Sequence, residues 1–275
     1  MTFAGLRYML ASLLFFPFLF NKSVRLQIKQ LGKHEWLFLI ILGIVLYTIG
    51  QGGQYLALAF FPSVTVSLIL NLSGLLVATV SWITLKEKLN WIQWVGILFN
   101  LAGTLVYFNP TNPIPANWLG WLFTLLCLTG NALGSVLGRR INRDARIHPV
   151  LITGISMTIG SVLMLTTGVV WQGLPYLSAQ SIWIVVILAV INTAVCFSLW
   201  NYTQQTLLAT ESVIINNTML VHISILAWIF LGEKQTLLGI VGLLLALIGA
   251  ILVQIRMRPG LHNNQISKNP RPGML

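Results

Sequence analysis

Nine apolar blocks, each close to the length of a membrane crossing, take up nearly all of this 275-residue chain: about 1–20, 35–57, 62–84, 91–108, 117–137, 149–171, 181–203, 211–231 and 235–255. A bilayer core about 30 Å thick needs roughly 20 apolar helical residues to span it. Within lipid a backbone must satisfy its own N–H and C=O groups, so such blocks can only be helices. The expectation is an all-α, polytopic membrane protein. Only 8% of the residues are charged against 56% hydrophobic, and the stretches between blocks are short. No room is left for a soluble catalytic domain.

The net charge of +11 invites a nucleic-acid reading, but the placement of the basic residues opposes it. Assigning the loops alternately to two sides puts Lys22, Arg25, Lys29, Lys33, Lys86, Lys88, Arg139, Arg140, Arg143, Arg146 and the tail residues Arg256, Arg258, Lys268 and Arg271 on one side. The other side keeps Lys234, and Arg7 lies within the first block. This asymmetry is the positive-inside rule, which places the basic side and the C-terminus in the cytoplasm. The basic residues then orient the chain and meet lipid head groups. Cys127 and Cys196 lie inside apolar blocks and read as small core residues, with no metal or disulfide implied. The first block lacks a basic n-region and a cleavage site, so it reads as a helix and not as a signal peptide.

The chain also repeats itself. Leu85-Lys86-Glu87-Lys88 leads into a helix carrying Gly96 and Gly103; Leu231-Gly232-Glu233-Lys234 leads into one carrying Gly242 and Gly249, 146 residues further on in every case. The same offset pairs Asn71 with Asn217. Five crossings separate the two turns, so they face opposite sides and the halves are inverted copies. The first repeat is expected at 1–108, the second at 117–255, and a disordered cytoplasmic tail at 256–275. Two five-helix repeats require ten helices, so the first helix of the first repeat is expected to be missing. Glycines cluster for close helix packing, at 50, 52 and 53 and at 130, 134 and 138. Pro62, Pro110, Pro113, Pro115, Pro149 and Pro175 fall at helix boundaries.

These features resemble an EamA-type member of the drug/metabolite transporter superfamily. Leu6-Arg7-Tyr8-Met9-Leu10-Ala11 is similar to that family's second helix, and the two Leu-x-Glu-Lys turns are similar to those closing its repeats. Gly138-Arg139-Arg140 and Asn192-Thr193-Ala194 fit as well. The resemblance implies inverted five-helix repeats around a central cavity, and export of amino acids, other small metabolites or drugs across a prokaryotic inner membrane. It also implies a proline midway along the fourth helix of each repeat. Here Gly74 and Leu220 stand in its place, so a weaker kink is expected.

Tyr47, Gln51 and Gln54 share a helical face at i, i+4, i+7, and their equivalents Thr193, Phe197 and Trp200 share another. Polar groups on one face and rings on the other suit a small amphipathic solute. The expected solute-binding residues are Tyr47, Gln51, Gln54, Asn71, Asn131, Trp200, Asn201, Asn217 and His222, with Gln204 and Asn216 as weaker members. For each, the competing reading is a structural hydrogen bond between helices, worth roughly 0.6–2 kcal/mol. Packing is the favoured role for His222, helix N-terminus complementation for Glu211, and snorkelling to the interface for Arg7.

The expected function is secondary transport by alternating access, with no cofactor, no metal and no nucleic acid. Solute and lipid are the partners, and a homodimer is left open. None of the five acidic residues lies mid-membrane, which points to uncoupled or weakly coupled export. The alternatives are a transport-inactive truncated protein and an intramembrane enzyme. The second would need paired aspartates, a buried serine base or a His-Glu metal motif, and the sequence has none of these.

Overall fold

The computed structural model describes residues 1–61, 63–87, 89–107, 117–144, 146–173, 178–219, 222, 229 and 237–254. The turn at 231–234, Leu220, the tail from 256 and the prolines at 62, 110, 113, 115 and 175 lie outside them. Every regular element among the described residues is helical. In chain order these are α1 (Thr2–Leu13), α2 (Lys22–Gln30), α3 (Lys33–Ala57), α4 (Ser63–Asn71), α5 (Ser73–Leu85), α6 (Trp91–Tyr107), α7 (Trp118–Arg143), α8 (Pro149–Gln172), α9 (Ala179–Thr203), α10 (Ala209–Asn217) and α11 (Leu237–Gln254).

Four of them, α3, α7, α8 and α9, are apolar and 24 to 26 residues long. At 1.5 Å per residue that is roughly 36–39 Å, enough to cross a bilayer. Their starts are written in the sequence. The Asn117 carboxamide accepts from the N–H groups of Leu119 and Gly120 at 3.0 and 3.3 Å. Pro149 sits in the first turn of α8, where no donor is lost. Ser178 accepts from the N–H of Ser181.

The stretch after the first block is not a plain loop. Residues 16–20 form a 3₁₀ turn, and α2 follows with Lys22, Arg25 and Lys29 exposed while Val24 and Ile28 pack on the core. This is the pattern of a helix lying at the membrane surface.

The main core is built from α1, α3, α8 and α9 and includes Tyr8, Leu39, Leu42, Tyr47, Ile152 and Met157. Glycines set the closest approaches, because a Cβ at these positions would meet backbone. Gly130 of α7 lies on Gly50 of α3, and Gly134 lies on Leu46. The expected packing role of these glycines is therefore met.

The tightest seam joins α6 to α11. Gly96 faces Gly249 and Gly103 faces Gly242, so the two helices run antiparallel. Asn100 Nδ2 donates to the Ala246 carbonyl at 3.2 Å, and Gln93 Nε2 to that of Val253 at 3.0 Å.

Two further features come in matched places. A π-helical segment occupies Gly43–Gly52 in α3 and another Leu188–Val195 in α9. The α-helical ladder also breaks at Leu72, between α4 and α5, and at Thr218, where α10 ends. The Leu72 N–H reaches back only three residues to Ile69, and the Thr218 N–H does the same to Ile215. Leu72 and Thr218 are 146 residues apart. The expectation of a weaker kink without proline is corrected at Leu72. There a side chain does what the ring would have done: Asn217 Nδ2 donates to the freed Asn71 carbonyl at 3.2 Å, and the Leu75 N–H turns to Leu72.

Candidate solute cavity

A cavity of about 420 Å³ lies at the centre of the bundle, lined from α1, α3, α4, α5, α7, α9 and α10. The helix breaks bring Asn71 and Asn217 to its wall. The π-helical segment of α3 delivers Gln51, with Gln54 and Tyr55 following it; α7 contributes Asn131 and Ser135; α9 contributes Asn192, Phe197 and Trp200. Of the expected residues, Gln51, Gln54, Asn71, Asn131, Trp200 and Asn217 line the cavity, and so does Asn216.

Hydrogen bonds connect the polar wall. The Tyr8 hydroxyl donates to Gln51 Oε1 at 2.9 Å, Gln51 Nε2 donates to Asn131 Oδ1 at 3.0 Å, and Asn131 Nδ2 donates to the Cys127 carbonyl at 2.9 Å. This chain holds both amides in one orientation, so each presents a defined face to a solute. Trp200 backs onto an apolar cluster with Val77, Val136 and Val213, which leaves its ring as a flat apolar wall.

Other expected residues stand elsewhere. Tyr47 is fully buried behind the cavity, its ring centroid 5.8 Å from that of Tyr8 and 5.1 Å from that of Phe197. The facing argument assumed 3.6 residues per turn. The wider π turn breaks the i, i+4 alignment and leaves Gln51 in the wall and Tyr47 in the core. Asn201 is consumed between helices: its Nδ2 donates to Thr153 Oγ1 at 3.0 Å and its Oδ1 accepts from Asn142 at 2.8 Å. Gln204 is buried and donates to the Ser135 carbonyl. His222 is exposed, outside the wall, with Nδ1 3.0 Å from the Thr218 carbonyl. Glu211, as expected, accepts from a backbone N–H at the start of its own helix, that of Leu208. Cys127 is buried as expected, whereas Cys196 is exposed and lines the cavity.

Arg7 reverses its expected role. It does not reach out to the interface but turns inward, 9% exposed, into the cavity wall. Its Nε donates to Thr193 Oγ1 at 2.7 Å and its Nη1 to the Tyr55 hydroxyl at 2.8 Å. The hydroxyl proton of Thr193 is directed to the Leu188 carbonyl five residues back, across the π turn, which leaves an oxygen lone pair facing the arginine. Acceptors at this depth come from side chains 48 and 186 residues away, and no local pattern could have found them.

The two ends of the cavity differ. At one, Ser135 of the wall connects through Gln204 to Arg139, whose Nη1 donates to the Gln204 carbonyl at 2.6 Å. Arg139 Nε also pairs with Glu87 Oε1 at 2.9 Å, both side chains nearly buried. Glu87 Oε2 accepts from the Ala209 N–H at 3.3 Å. The cluster ties together the ends of α5 and α9, the last turns of α7 and the start of α10. At the other end Phe60 stacks on Phe123 and Phe61 meets Trp121 edge-on.

An all-α bundle with membrane-length helices and a polar cavity walled from both ends of the sequence defines an integral membrane protein of the transporter class. The EamA-like transporter family model matches residues 1–109 and 118–255, and the chain belongs to that family. Its relatives include the uncharacterized transporter YvbV of Bacillus subtilis (strain 168), 24% identical over 266 residues, covering 94% of this chain and 83% of that one. The uncharacterized transporter YoaV of the same strain is 21% identical over 260 residues, covering 92% and 86%. A solved crystal structure superposes with a TM-score of 0.76 at 17% identity, covering 92% of this chain and 87% of its own, and so shares the fold.

Proposed function

We propose that this protein exports a small amphipathic solute across the cell membrane by alternating access, with two inverted halves moving about the central cavity. One observation carries the reading. Asn71 and Asn217, 146 residues apart, meet at matched helix breaks in the cavity wall, with the Asn217 amide bonded to the Asn71 carbonyl. Broken helices at a repeat interface are where carriers of this kind hold their solute. The antiparallel contact of α6 with α11, the matched π-helical segments and the two stretches covered by the family model support the duplication. The Arg139–Glu87 end carries the loops rich in Lys and Arg, which by the positive-inside rule faces the cytoplasm. The two buried carboxylates, Glu87 and Glu211, are engaged by Arg139 and by backbone N–H groups, a use that favours transport over intramembrane catalysis.

The test is efflux of labelled amino acids and short organic acids from proteoliposomes, with and without a pH gradient, alongside a Trp200→Ala variant. Efflux that depends on Trp200 and ignores the gradient is expected. Acceleration by the gradient refutes uncoupled export, and efflux indifferent to Trp200 refutes the cavity as the route. Cysteines placed at 87 and 233 should label from opposite faces of the membrane; labelling from one face refutes the inverted arrangement.

A further inference from the structure

We infer that the solute is a small organic anion, held by Arg7 through a carboxylate or a like oxyanion; this rests on the cavity being the transport site. Arg7 is the one charged side chain among the described cavity-lining residues. No acidic group pairs with it among the described residues, where the ion pairs are Arg139–Glu87 and Arg143–Asp144. A lone charge within the membrane is expensive and marks a functional site whose partner must be sought. The protein supplies two neutral acceptors, Thr193 Oγ1 and the Tyr55 hydroxyl, and these hold the guanidinium in place without neutralising it. A guanidinium has five N–H donors. Two are used in those bonds, so donors remain for an oxyanion, and the planar fork matches a carboxylate in geometry.

The rest of the wall describes the rest of the solute. Tyr8 lies beneath the guanidinium, whose carbon is 5.4 Å from the ring centroid. Phe197 and Trp200 complete an apolar surface, while the carboxamides of Gln51 and Asn131 stand ready for a neutral polar group. The described wall holds no carboxylate to receive an ammonium. That favours an organic anion over a zwitterion. A cavity of about 420 Å³ lies towards the small end of the ligand-site range, suited to a body about the size of a ring.

The test uses the full chain purified in detergent and three probes of one skeleton: phenylacetate, phenylacetamide and phenethylamine, with binding measured by calorimetry. Phenylacetate should bind at least tenfold more tightly than either of the others. Arg7→Gln should abolish that preference, and Trp200→Ala should weaken all three. If Arg7→Gln does not fold, Arg7→Lys replaces it. Lysine keeps the charge and loses the fork, so phenylacetate should weaken several-fold while its preference over the amine survives. An anion preference that is missing in the wild type, including no binding at all, overturns the assignment, as does a preference that survives Arg7→Gln or an affinity unmoved by Arg7→Lys. Equal binding of the three probes that still falls with Trp200→Ala removes the anion alone and keeps the cavity as the solute site. Binding indifferent to Trp200 removes both.

Discussion

Neutralising Glu87 isolates the energetics of the ionic end. Glu87 and Arg139 are 8% exposed or less, and their side chains meet at 2.9 Å. In Glu87→Gln the arginine keeps the Gln204 carbonyl but loses its counter-charge, and the Ala209 N–H faces a weaker acceptor. Removing one member of a buried pair costs about 3–5 kcal/mol, because the other charge remains desolvated. The Arg143–Asp144 pair, 3.7 Å apart and about half exposed, is a control inside the same region: Asp144→Asn should cost about 0–1 kcal/mol. Arg139→Gln should cost about as much as Glu87→Gln, whereas the double variant, with no charge left to strand, should recover most of the loss. Unfolding in mixed detergent–SDS micelles, run as a double-mutant cycle, reads the coupling. Additive losses from the two single variants would refute the reasoning, as would a Glu87→Gln protein no less stable than Asp144→Asn.

Two further outcomes are expected. Gly103→Ala sets helix propensity, which favours alanine by about 0.8–1.0 kcal/mol, against a Cβ that would press on the Ala246 and Gly242 backbones; overpacking at about 1–3 kcal/mol should win, lowering the melting temperature. A higher melting temperature would mean that the seam has slack. Asn217→Ala removes the donor to the Asn71 carbonyl and should cost roughly 0.6–2 kcal/mol in the same unfolding assay, with faster amide exchange around Leu75; unchanged exchange would show that the break at Leu72 does not depend on that bond.

The parts of this fold legible from sequence are those set by period and spacing. Block lengths gave the long helices, and glycines at matched offsets announced the α6–α11 contact, because only a missing side chain allows backbones so close. Asn71, Asn217, Gln51 and Asn131 were found because an amide in an apolar helix is conspicuous wherever it points. What escaped depended on winding and on distant partners. Tyr47 was placed in the wall by a 3.6-residue period that the π-helical segment does not obey. Asn201 and Asn131 look alike in sequence, yet one is tied between Asn142 and Thr153 and the other borders the cavity. Glu87 and Arg139 were each noticed in a motif, but nothing local says that they meet across 52 residues. The Leu-x-Glu-Lys turn did hold one unused hint: Lys86 adopts a left-handed φ of 56°, and glycine, which tolerates it best, stands at the matching position 232.

The seam between α6 and α11 also divides the labour of any moving parts. Neither helix contributes to the described cavity wall, and their main chains touch at four glycines, so they cannot slide without first separating. They act as a stationary spine. Whatever swings to expose the passage first on one side of the membrane and then on the other must do so among the remaining helices, with this pair as the frame they swing against.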